Sequence, residues 1–216
     1  MSNDKRRDSD DFGERISGWH ASLGWGDGTE SVAPYVPSPQ NVVEEMLTVA
    51  HAGPGDVLYD LGCGDGRILL TAIEKFNVDS AVGFELNPKL FESTRSKILE
   101  KGLNDRIKIF NESFFKADLS EATVVTLYLT TSGNSKLKPK FMKELQKGAR
   151  IVSHDFPMMD WITAKDDHGF YSFGTHKIFL YVIPKAFTED GPRTENTDGD
   201  RRWDRLKRLF DRTDRG

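Results

Sequence analysis

Apolar positions change their period along this chain, and the period assigns the elements. Val42, Val43, Met46, Leu47 and Ala50 share one side of a 3.6-residue repeat, so a helix is predicted there, with Ser38 and Pro39 as its cap and first turn. From Asp56 onward, short apolar runs alternate with helical segments. Strands are expected near residues 56–61, 80–85, 106–110, 122–129 and 149–154. Helices are expected over 66–76, over 88–102 behind an Asn87 cap, and over 136–146. Such alternation marks a parallel sheet wrapped by helices. The pattern then shifts, and residues 170–173 and 177–183 read as a hairpin that would give the sheet an antiparallel end.

Both ends depart from this pattern. Residues 1–33 are rich in Asp, Ser, Gly and Arg without a sustained period and are expected to be a largely disordered tail, with Trp19, Leu23 and Trp25 either touching the protein's own core or forming a short docking segment. Past residue 185 the chain turns polar. It then places Trp203, Leu206, Leu209 and Phe210 on one helical face, in a segment (201–216) with seven Lys or Arg against three Asp. Residues 186–216 thus read as a charged linker and a basic amphipathic helix, which either binds an unknown partner or packs back on the parent domain.

Composition narrows the picture. With 216 residues, 37% of them hydrophobic, the chain can bury one full core, so residues 34–185 are expected to form a single domain between tails. A net charge of −4 argues against a dedicated nucleic-acid binder, and no nucleic acid is expected on the folded domain. No apolar run approaches the roughly 18 residues of a membrane span, and no apolar signal core follows the polar N-terminus; a cytoplasmic protein is expected. Cys63 is the only cysteine, which excludes an intramolecular disulfide and a cysteine-rich metal site.

The candidate chemistry centres on Asp60-Leu61-Gly62-Cys63-Gly64-Asp65-Gly66-Arg67, a tight turn between a predicted strand and helix, followed by Glu85 at the next strand end. Gly62, Gly64 and Gly66 allow close backbone approach, the helix start offers free N–H groups, and Glu85 is placed to accept from both hydroxyls of a ribose. A dinucleotide fingerprint fails because its third glycine position falls on Arg67, and Asp60 and Asp65 would repel a pyrophosphate. A cationic nucleoside fits instead. S-adenosylmethionine carries a sulfonium and an α-ammonium and no phosphate. Cys63 reads as a small residue required by the turn rather than as a nucleophile.

On these residues the chain resembles the seven-strand, class I S-adenosylmethionine-dependent methyltransferases. On Pro34-Tyr35-Val36-Pro37-Ser38-Pro39, Gly83-Phe84-Glu85-Leu86-Asn87, Thr126-Leu127-Tyr128-Leu129-Thr130-Thr131, Leu137-Lys138-Pro139 and Ser153-His154-Asp155-Phe156 it is similar to the archaeal broad-specificity protein-lysine methyltransferases and their mitochondrial relatives. The resemblance implies a Rossmann-like α/β fold: a seven-stranded, mostly parallel sheet with helices on both faces and an antiparallel last hairpin. It implies S-adenosyl-L-methionine as cofactor, held by Tyr35, Asp60, Gly62, Cys63, Gly64, Asp65, Gly66, Glu85, Leu86 and Asn87. Ser113 and Phe114 stand where the superfamily contacts adenine, with Ser113 in a place that many members give to Asp.

The acceptor side is expected at Tyr128, Tyr35 and Thr130. Prolines on both sides stiffen the segment that presents Tyr35. The loop after the fourth strand lacks the Asn/Asp-Pro-Pro-aromatic run common in methyltransferases of amide and base nitrogens; the resemblance implies instead that Tyr128 and Thr130 flank a narrow channel for a lysine, with plain structural packing as the alternative. The expectation is protein-lysine N-methylation by direct in-line transfer, with exposed lysines of protein substrates as partners. Methylation of a small-molecule or lipid-like acceptor and a non-catalytic cofactor-binding scaffold are the alternatives. No metal is expected, since His168 and His176 stand apart from His154 at no recognised ligand spacing. Asp166, Asp167 and His168 read as a solvated turn.

Overall fold

The computed structural model describes residues 35–165 and 169–187. The chain divides into two compact units, residues 1–36 and 37–216. The expected N-terminal tail, the basic C-terminal helix and the turn at residues 166–168 lie outside the described residues. Tyr35 belongs to the first unit, so its expected role rests on sequence alone.

The second unit carries α1 (Gln40–Val49), β1 (Val57–Leu61), α2 (Arg67–Phe76), β2 (Ser80–Phe84), α3 (Pro88–Glu100), β3 (Ile107–Phe110), β4 (Val124–Leu127), α4 (Thr131–Glu144), β5 (Arg150–His154), β6 (Tyr171–Phe173), β7 (His176–Val182) and a short 3₁₀ turn (Lys185–Phe187). The sheet order is β3-β2-β1-β4-β5-β7-β6. The first five strands run parallel, and β7 joins β5 antiparallel with β6 folded back on it. The expected architecture is therefore present, including the antiparallel end.

Strand alternation builds two cores, one on each face. Val124, Val152, Ile178 and Leu180 join one cluster with Met46 and Leu47 of α1, Leu69 and Ile73 of α2 and Ile98 of α3. Their neighbours Val125, Leu127, Ile151 and Tyr181 are fully buried outside that cluster, as are Leu137 and Phe141 of α4. On that second face Trp161 contacts both Phe141 and Tyr181. At the amino ends of the strands, Asp56 accepts from Gly53 N and Thr123 Oγ1 and pairs with Arg150, whose guanidinium also donates to the Ala50 and His51 carbonyls. The stabilising polar network is thus at the opposite end from the glycine turn.

Two expected boundaries are corrected. Ser38 does not cap α1: the N-cap is Pro39, without a side-chain bond, and the buried Ser38 hydroxyl contacts His154 instead. Helix α4 begins at Thr131 rather than residue 136, despite Gly133 and the internal Pro139. Tertiary bonds override these weak helix formers. Thr130 Oγ1 accepts from Gly133 N, and the buried Asn134 donates to Ser153 Oγ and the Phe156 carbonyl.

Candidate active site

The chain passes from β1 outward through β2 to β3, then returns to place β4 on the other side of β1. Parallel sheets bind ligands outside the carboxyl ends of their strands at such a reversal. Asp60 is the penultimate residue of β1, and Glu85, Tyr128 and Asp155 directly follow β2, β4 and β5.

Asp60 is buried, and its Oδ1 accepts from Thr126 Oγ1 at 2.7 Å, a partner that the β1–β4 register places directly opposite. Its Oδ2 is buried and has no hydrogen-bond partner among the described residues. Burial pushes the carboxyl up to about 7, against the Thr126 bond, with Glu85 and Asp65 adding to the rise. An orphaned buried oxygen of this kind is costly unless a ligand supplies a donor.

The turn behind it has Gly62, Gly64 and Gly66 all at positive φ. Gly62 N and Cys63 N both donate to the Phe84 carbonyl, tying the turn to the end of β2. A Cβ at Gly66 would lie 2.4 Å from Thr94 Cγ2, whereas one at Gly62 would meet only Leu129 at 3.6 Å. Gly66 is therefore glycine for packing on α3, and Gly62 for its backbone conformation. Gly83 stands in a motif noted in the sequence, but its packing role emerges only here. A Cβ there would lie 2.8 Å from Cys63 Sγ and 2.6 Å from Leu69 Cδ1, and the signal was a lone glycine within a strand. Burial pushes the Cys63 thiol well up, so it stays protonated, in keeping with a packing residue.

Glu85 is engaged more locally than expected. Its Oε2 accepts from Gly64 N at 2.9 Å and its Oε1 from Asn87 N at 2.7 Å, so the Gly64 N–H is not free. Each carboxylate oxygen retains a lone pair for a ribose hydroxyl. Burial is the main cause of its raised pKa. Asn87 caps α3 as expected, accepting from Lys89 N and Leu90 N, while Leu86 is half-buried beside it. Asn111 Nδ2 donates to the carbonyls of Glu85 and Leu86. Ser113 is buried with Oγ accepting from Phe115 N, and Phe114 is buried against Phe115.

Asp65, read from the sequence as one of the acids lining the turn, is already paired: Arg67 Nη2 donates to its Oδ2 at 2.7 Å and Arg67 Nε to its Oδ1 at 2.9 Å. Burial alone would raise its carboxyl; the Arg67 guanidinium reverses that and holds it below the usual range. Asp60 and Glu85 remain as the acidic pair.

On the acceptor side, the half-buried Tyr128 ring lies 4.0 Å from the His154 ring and 6.1 Å from that of Phe156, centroid to centroid. Burial, then Asp155, raises its phenol. Thr130 caps α4. His154 is fully buried, with Nδ1 2.8 Å from Ser38 Oγ and Nε2 2.9 Å from His176 Nδ1. Asp155 Oδ2 lies 3.2 Å from the first of these nitrogens' ring partner, His154 Nε2, and 3.0 Å from His176 Nδ1. Burial pushes His154 down to about 4, with Asp155 opposing and His176 reinforcing. His176, which the sequence set apart, is brought here because β7 runs antiparallel to β5 and begins where β5 ends.

Comparison with known proteins adds the family. Residues 60–165 match the model described as the ANTKMT methyltransferase domain. A protein-lysine N-methyltransferase of Saccharolobus islandicus is 44% identical over 155 residues, which is 69% of this chain and 93% of that protein. The chain belongs to the class I S-adenosylmethionine-dependent methyltransferases. Another relative of this methyltransferase, a mouse adenine nucleotide translocase lysine N-methyltransferase, is 34% identical over 59% of the chain and 55% of its own length. A crystal structure described as an RNA methyltransferase from Salinibacter ruber, in complex with S-adenosyl-L-homocysteine, is 39% identical with a TM-score of 0.66, covering 73% of this chain and all of that one. S-adenosylmethionine is the cofactor. The orphaned Asp60 oxygen and the cradle at Gly62 fit a ligand with a cationic end and a nucleoside. Among the described residues, no helix is long and apolar enough to cross a membrane.

Proposed function

We propose that this methyltransferase modifies the ε-amine of lysine in protein substrates. The observation that carries this reading is the 44% identity, over nearly the whole of the archaeal relative, to a protein-lysine N-methyltransferase. The local chemistry supports it. Leu127-Tyr128-Leu129-Thr130 offers an aromatic and aliphatic wall where amide-methylating relatives carry a polar Pro-Pro loop.

In this reading Asp60 receives the α-ammonium of the cofactor, the backbone from Gly62 to Gly66 underlies its methionine and ribose parts, and Glu85 takes the ribose hydroxyls. Ser113 and Phe114 border the adenine. The cofactor supplies a methyl group made electrophilic by its sulfonium. The lysine attacks in line, without a covalent enzyme intermediate. A lysine with a pKa near 10.4 is neutral in about one molecule in two thousand at pH 7, so attack requires that the ammonium form be disfavoured. The Tyr128 wall does this by excluding water, and its ring face accommodates the cationic sulfonium.

Glu85→Gln is expected to weaken cofactor binding by about 1–3 kcal/mol, because a charged acceptor of two hydrogen bonds is replaced by a neutral one. Calorimetry reads this directly, and an unchanged affinity removes the ribose assignment. Tyr128→Phe should slow methyl transfer several-fold more than it weakens cofactor binding. Equal losses in single-turnover rate and in cofactor affinity would make Tyr128 a packing residue only.

A second reading is RNA methylation, favoured by the description of the Salinibacter ruber structure. Isotope-labelled cofactor, incubated with the protein and separately with total RNA and with extract protein, decides between them. Methyl-lysine mapped by mass spectrometry is the expected product. Label confined to RNA would overturn the lysine reading and leave the cofactor assignment standing.

A further inference from the structure

The cluster at the ends of β5 and β7 has a geometry that the methyl transfer does not use. His154 Nε2, His176 Nδ1 and Asp155 Oδ2 form a closed triangle with edges of 2.9, 3.0 and 3.2 Å. Hydrogen bonds do not account for all three edges. Each imidazole nitrogen points at most one proton into the triangle and a carboxylate oxygen points none, so in either tautomer two protons at most serve three contacts. A cation seated just above the plane of the triangle comes within bonding reach of all three donors at once.

We infer that His154, Asp155 and His176 form a binding site for a divalent first-row transition-metal ion. Metal–ligand bonds of about 2.0–2.1 Å separate neighbouring donors by about 3.0 Å in an octahedral shell and about 3.4 Å in a tetrahedral one, and the observed edges fall across this range. Two imidazoles and one carboxylate on a single face select zinc, iron(II), cobalt(II) or nickel(II), whereas magnesium and calcium prefer an all-oxygen shell. The remaining coordination positions are left to water or another ligand.

The surroundings hold the donors as ligands are held elsewhere. The far nitrogen of His154 is 2.8 Å from Ser38 Oγ, which fixes the ring's orientation from a position 116 residues away. The other oxygen of Asp155 accepts from Lys177 N at 2.8 Å. Outer contacts of this kind accompany metal-bound imidazoles and carboxylates and orient them. Asp155 adopts φ +57°, a left-handed conformation that Asp and Asn take more readily than other non-glycine residues.

The test uses untagged full-length protein, freed of metal with a chelator and then titrated with Zn²⁺ in competition with a chromophoric chelator. One equivalent should bind at this site. His176→Ala and Asp155→Asn should each weaken it by roughly 100-fold or more, and Ser38→Ala by about 10-fold, as lost inner and outer contacts do. His51→Ala is the control and should bind as the parent does. Asparagine tolerates the left-handed backbone, so Asp155→Asn keeps the test decisive if another variant fails to fold. Imidazole ¹⁵N resonances of His154 and His176 should move on adding Zn²⁺ and stay still on adding Mg²⁺. Absence of stoichiometric Zn²⁺ binding, unchanged affinity in both ligand variants, or equal binding of Mg²⁺ would overturn the assignment.

Discussion

Affinity for S-adenosylmethionine is expected to tighten by up to about tenfold per pH unit as pH rises from about 5 toward 7, and to level off above that. The cause is Asp60, whose buried carboxyl is pushed up to about 7 and so remains largely protonated below neutrality. An α-ammonium needs the carboxylate, so binding releases the proton. Calorimetry in buffers of different ionisation enthalpy should record about one proton released near pH 6 and almost none at pH 8.5. Asp60→Asn should bind weakly at every pH and release no proton; a pH-dependent affinity that survives in this variant would assign the linkage to another group. For the ligand-free protein the sign is opposite. Folding favours the protonated Asp60, so its contribution is full below the unfolded value near 3.9 and disappears as pH rises to about 7, a loss of up to about 4 kcal/mol. Asp60→Asn should therefore melt higher than the parent at pH 8 when no cofactor is present.

The second large effect concerns stability alone. Gly66→Ala is expected to cost about 3–5 kcal/mol, because the backbone at φ +78° disfavours a side chain and the new Cβ would lie 2.4 Å from Thr94 Cγ2. Thr94 cannot swing away cheaply: it is fully buried and its hydroxyl donates to the Gly64 carbonyl at 2.9 Å. With roughly 2–4 °C per kcal/mol for a chain of this size, the melting temperature should drop by about 10 °C. Adding Thr94→Ser removes the obstructing methyl, keeps the hydroxyl and should recover part of the loss. A single variant melting within about 2 °C of the parent would mean that α3 yields at this point.

The parts of this site that were legible in sequence are those written locally. A glycine turn between an apolar strand and an apolar-striped helix, with Glu85 one strand further on, needs only neighbouring residues to be read. The missing parts depend on which strands lie side by side. Thr126 becomes the partner of Asp60 only because β4 crosses back to pair with β1, and His176 reaches His154 only because β7 reverses against β5. Ser38 fits a helix-cap pattern by sequence, yet its hydroxyl is taken by a histidine that no local rule connects to it. Asp65 carries the right charge at the right place, but its neighbour Arg67 neutralises it two residues away. The early start of α4 has the same origin, since buried contacts of Asn134 outweigh the weak helix propensity of the residues around it.

The lacing of Glu85 bears on how fast and at what entropic cost the cofactor is captured. One carboxylate bridges Gly64 N and Asn87 N, and Asn111 donates to the carbonyls of Glu85 and Leu86, so the ends of β1, β2 and β3 are joined before any ligand arrives. The ordering of this rotamer-rich side chain, about 0.5–1.5 kcal/mol when it happens on association, is completed during folding instead. Capture at the ribose end should then resemble docking on a finished surface, with a small entropic penalty and an association rate that depends little on loop closure.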